Sequence, residues 1–78
     1  MKKYQIKKML QEMIIDESMD VFTGNFPRQQ NTIKKLGYNE YSIFSRGQNW
    51  SDQLQTFWDF KQMTRFLWNE KMKSTDII

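Results

Sequence analysis

Ser51–Lys73, SDQLQTFWDFKQMTRFLWNEKMK, is the stretch on which the fold turns. It holds two of the three Trp and three of the six Phe, with no Gly or Pro to interrupt it. Ser51 or Asp52 can cap a helix start, and Asp52 with Gln55 has capping-box spacing. Lys71 and Lys73 suit the negative end of a helix dipole. The stretch therefore predicts one long C-terminal helix over 51–73. On a helical wheel Phe57, Phe60, Met63 and Leu67 form a core-facing arc. Leu54, Trp58, Trp68 and Met72 form a second seam beside it, with Lys61 and Arg65 in its middle. Phe66 falls near the opposite side, beside Asp59 and Glu70.

Working outward, residues 3–18 read as an amphipathic helix, with Ile6, Met9, Leu10, Met13 and Ile14 on one arc. Its charges oppose its dipole, because Lys2, Lys3, Lys7 and Lys8 open it while Glu12, Asp16, Glu17 and Asp20 close it. Residues 19–26 read as a connector with a turn signal at Thr23-Gly24-Asn25 and apolar anchors at Val21, Phe22 and Phe26. Residues 27–36 are a short helix opened by Pro27, or a strand. Residues 39–46 admit the same two readings. As a helix they are capped by Asn39 and stopped by Gly47. As a strand, Tyr41–Ser45 pairs with 31–36 across a Gly37–Glu40 turn. The expectation is a single, mainly α domain of three to four helices built on the long C-terminal one. The second reading is α+β, with helices at both ends and a small antiparallel sheet from residues 20–46.

Composition narrows the chemistry. The 78 residues include no Cys and no His. Disulfides, thiolate metal sites and the commonest general base are thereby absent. The expectation is a protein that is not an enzyme and takes no metal or cofactor. Carboxylates pair one helical turn apart at Glu12/Asp16 and Asp16/Asp20, which reads as a solvated helix end. The three Gly are isolated turn residues, so no loop cradles phosphate. The N-terminus carries no signal-peptide run, and no window approaches the roughly 18–20 apolar residues of a membrane span. A soluble, cytoplasmic protein is expected. Net charge of +3 permits an anionic partner without requiring one.

Two sites can be named. The first is a partner-binding strip of Trp58, Lys61, Arg65 and Trp68, since Trp and Arg are enriched at protein–protein hot spots. The second lies in Leu36-Gly37-Tyr38-Asn39-Glu40 continuing through Ser42, Phe44, Ser45 and Arg46. This run resembles the turn and recognition helix of the AraC-type helix-turn-helix family, although Gly47–Trp50 replaces that family's basic continuation. The resemblance implies a small DNA-binding regulator using residues 27–46, with Asn39, Glu40 and Ser42 toward the groove and Arg46 toward phosphate. Arg28, Lys34 and Lys35 would add phosphate contacts.

Protein binding is the leading expectation: a small inhibitor or adaptor of the phage or mobile-element accessory type, for example anti-defence. The DNA-binding regulator is the alternative. Positions 54, 58, 61, 65, 68 and 72 also keep a heptad-like spacing that admits a homodimer, with the like charges of Lys61 and Arg65 at its centre.

Overall fold

The computed structural model describes residues 1–24, 29–45 and 54–77. Within them the chain runs α1 (Lys3–Glu12), β1 (Ser18–Thr23), β2 (Gln29–Gly37), β3 (Glu40–Ser45), β4 (Leu54–Trp58) and α2 (Phe60–Asn69). A 3-10 turn at Ser74–Asp76 follows. The four strands form one antiparallel meander in the order β1-β2-β3-β4, and residues of both helices share its core. The fold is therefore α+β, which overturns the mainly helical expectation. The second reading had the class and the helix placement right, but the sheet is larger than it allowed, reaching from Ser18 to Trp58.

The sheet follows from period-2 patterning. On β1 to β3 the inward residues are Val21 and Thr23, Asn31 and Ile33, then Tyr41 and Ile43, all buried. Ile6, Leu10 and Met13 meet them from the N-terminal side, Met63 and Leu67 from α2, and Met72 from just beyond it. Gly37 pairs with Glu40 at the β2–β3 turn, with a register irregularity between Lys35 and Gly37. Residues 27–36 and 39–46 thus take the strand reading where they are described. The proposed connector 19–26 supplies most of β1.

α1 ends at Glu12, well short of the expected 18. Met13 turns extended, the β-branched pair Ile14-Ile15 disfavours continuation, and Asp16 takes a positive φ of 75°. The Asp16 amide donates to the Lys35 carbonyl at 2.7 Å and the Lys35 amide to the Glu17 carbonyl at 3.1 Å, so the chain enters the β1–β2 ladder directly. Ile14, expected in the core, is exposed.

The long helix divides. Leu54–Trp58 is an edge strand paired with β3, and only Phe60–Asn69 is helical. Asp59 separates them: its carboxylate accepts from the Gln62 amide at 2.8 Å, and its own amide donates to Gln62 Oε1 at 3.0 Å. The capping box is real but sits at Asp59–Gln62. The expected cap at Ser51 or Asp52 lies outside the described residues. Asn39 reaches across from the β2–β3 turn and accepts the Phe60 amide at 2.9 Å. Phe57, placed in the core arc by the wheel, is 64% exposed on β4.

The sheet is tied down around the Val21–Asn31 pair. Ile77 bridges Val21 on the outer side of β1. Across the inner face, Asn31 Nδ2 donates to Thr23 Oγ1 at 2.7 Å while Ser45 Oγ donates to Asn31 Oδ1 at 2.7 Å, which links three strands through a buried amide.

Candidate functional site

Helix α2 buries Met63, Thr64 and Leu67, and this sets where its remaining side chains go. At about 100° per residue, Lys61, Arg65 and Trp68 lie together on one flank of that buried stripe, while Phe66 lies on the other. All three flank residues are exposed, Trp68 at 40%. Trp58 is elsewhere. It projects from β4, half-buried, with its ring against Phe66 at 4.9 Å between centroids. The expected strip is thus broken: three of its four members share a face, and Trp58 is a packing residue on the opposite flank.

The α1 side completes the face. Lys3 and Lys7, one turn apart beside the buried Ile6 and Leu10, close a cleft of about 260 Å³ with Phe60, Lys61, Thr64 and Arg65. The two helices meet with α1's start near the end of α2, where the Met1 ammonium donates to the Met72 carbonyl. Among the described residues that line the cleft, the four cations face no carboxylate. Among the described residues the one ion pair is Lys8–Glu12 at 3.9 Å, on the exposed side of α1. The floor is less polar than the walls. Phe60 is half-buried against Tyr41, and the Thr64 hydroxyl is engaged in donating to the Phe60 carbonyl at 2.7 Å.

The sequence places Lys3 and Lys7 in the basic cluster that opens the first helix and Phe60 in the core-facing arc, but assigns none of them to a site, and Thr64 carries no signal there. Lys3 and Lys7 do carry a signal, an i,i+4 cation pair bordering an apolar stripe with no acid in the helix's first turn. Nothing in the local sequence pairs that flank with α2.

The described residues of the helix-turn-helix resemblance fall apart in space. Residues 29–45 are a β-hairpin, so among the described residues neither of the two helices that motif needs is present. Lys34 lies on the outer sheet face, opposite Ser18 and Ser42 in the register. Lys35 lies on the inner face, where its Nζ donates to the Met13 carbonyl at 3.0 Å and sits 5.7 Å from the Tyr41 ring centroid. Asn39 is committed to the α2 start, and Ser42 is buried. Arg28 and Arg46 lie outside the described residues.

Beside the cleft, the Tyr41 hydroxyl donates to the Leu10 carbonyl at 3.0 Å, and burial pushes its pKa above the usual tyrosine value. Among the described residues no three His, Cys, Asp or Glu side chains gather to hold a metal ion. No described helix is long and apolar enough to cross a membrane.

The architecture is that of a helix-covered four-stranded meander. Compared with the profiles of known protein families, with curated proteins and with solved structures, the chain matches none.

Proposed function

We propose that this protein is a non-catalytic binding protein that acts by engaging another protein, as a small inhibitor or adaptor, through the α2 flank of Lys61, Arg65 and Trp68. The observation that carries this reading is the exposure of a Trp beside two cations that no carboxylate neutralises among the described residues. Free in water such a Trp gains nothing from its setting. Under a partner it supplies a large apolar contact, and the flanking cations supply orientation and charge-assisted hydrogen bonds. The chain's lack of His and Cys supports the non-catalytic part of the reading.

The test is affinity capture from nuclease-treated lysate with wild type, Trp68→Ala and Arg65→Ala compared side by side. A protein held by wild type and lost from both variants, at unchanged thermal stability, supports the reading; a true hot spot costs about 2 kcal/mol or more. Retention of every captured protein by both variants overturns it.

A further inference from the structure

We propose that the cleft between α1 and α2 is a docking slot for an acidic segment of the partner protein, one carrying carboxylates around an apolar side chain. This rests on the protein-binding reading and extends it from the α2 flank to the opposite wall. Lys3 and Lys7 on α1 form one wall pair, Lys61 and Arg65 on α2 the other. Each pair has i,i+4 spacing, which places its stems about 5–6 Å apart on a helix surface. Carboxylates one turn apart on a partner helix, or on alternate residues of an extended segment, match that spacing.

The chain itself neutralises none of these charges within the described residues. Four like charges converging on one cleft repel one another, and an anionic occupant relieves that repulsion. The floor of Phe60 and Thr64, with the hydroxyl already engaged, suits an apolar side chain seated between the carboxylates.

The same features favour an acidic peptide over a nucleic acid strand. A phosphodiester chain needs a basic track and, when single-stranded, aromatic faces on which bases stack. Here Phe60 lies half-buried at the bottom of a slot holding a volume of about 260 Å³. The basic surface of α1 also gives way to Glu12 at its far end and to Asp16 and Glu17 just beyond it.

The experiment is fluorescence anisotropy on the full chain with three labelled probes: a peptide with two Glu pairs flanking a Leu, the same peptide with Gln for Glu, and a thymidine oligonucleotide. The acidic peptide is expected to bind at least about tenfold more tightly than the Gln peptide. That preference should collapse near 1 M salt, where screening shortens to about 3 Å. Lys3→Gln with Lys7→Gln, both exposed and outside the α2 flank, should weaken it about tenfold. Removing the same charge elsewhere, with Lys8→Gln and Lys73→Gln, should change it less than about twofold. Equal binding of the two peptides, equal loss in the two double variants, or tighter binding of the oligonucleotide overturns the slot. The capture experiment separates the two ideas. A partner lost on Trp68→Ala but retained by Lys3→Gln/Lys7→Gln refutes the slot and leaves the protein-binding reading standing.

Discussion

Trp58 and Phe66 hold β4 against α2, their ring centroids 4.9 Å apart and their planes tilted by 48°. The contact spans the turn at Asp59, so it fixes the angle at which the helix leaves the strand. An aromatic pair of this geometry contributes about 0.5–1.5 kcal/mol beyond its buried area. Trp58→Ala should therefore destabilise the protein by about 2–4 kcal/mol, through lost burial together with the pair. Trp68→Ala, on the exposed flank, should cost less than about 1 kcal/mol. Urea denaturation of the two variants checks the contrast, and equal destabilisation would refute the division of labour between these Trp residues.

Asp59 governs where strand stops and helix starts. Asp59→Ala removes the acceptor of the Gln62 amide at 2.8 Å and should cost about 1 kcal/mol. Asn39→Ala should cost a similar amount by freeing the Phe60 amide, and the two losses should be less than additive because both act on the first turn of α2. A double-mutant cycle read by thermal unfolding measures the coupling.

Asn31 is the most demanding polar position described. It is buried, and it both donates to Thr23 and accepts from Ser45. Asn31→Ala leaves two hydroxyls short of a partner and should destabilise by about 2–3 kcal/mol. Triple replacement, with Thr23→Val and Ser45→Ala added, should recover part of that loss, since apolar groups have no partner to miss. Chemical denaturation showing no recovery would mean that the amide's volume, and not its hydrogen bonds, is what the sheet requires.

Tyr41 gives the fold an alkaline limit. Burial raises its pKa, so the folded state keeps the proton to higher pH than the unfolded chain does. The unfolded state then binds fewer protons once pH passes its tyrosine pKa of about 10, and stability falls as pH rises from there. Below that pH the contribution is complete. Tyr41→Phe should lose about 1 kcal/mol at neutral pH with the hydrogen bond to Leu10, and should show a shallower decline above pH 10 than wild type. Thermal melts from neutral to alkaline pH check both parts.

What could be read in advance depended on whether local pattern and tertiary pairing agreed. The Ile6–Leu10–Met13 stripe and the alternation of Tyr41 and Ile43 within Tyr41–Ser45 report burial directly, because those side chains face one core. The division at Asp59 was hidden by a coincidence. Asp52–Gln55 and Asp59–Gln62 share the same spacing, and the first precedes a run whose aromatics also satisfy a helical wheel. Gln55, Thr56, Phe57 and Trp58 are as compatible with an edge strand as with a helix, and only the partner strand Glu40–Ser45 decides between them. Of the expected strip, Lys61, Arg65 and Trp68 share a flank because all three lie within the true helix. Trp58 left it with the strand.

The cleft has no existence in any single segment. Each strand pairs with its neighbour in sequence, so the meander can assemble hairpin by hairpin from local contacts. Lys3 and Lys7 meet Lys61 and Arg65 only when the two ends of the chain close over the finished sheet. α1 is held there by Ile6, Leu10 and Met13, by the Tyr41 hydroxyl and by the Lys35 ammonium. A sheet that has formed while α1 is still detached would keep its strands and lose half the charge of the cleft. Occupancy of the slot would then report the last step of folding, and a partner bound there would act as a clasp on the chain's two ends.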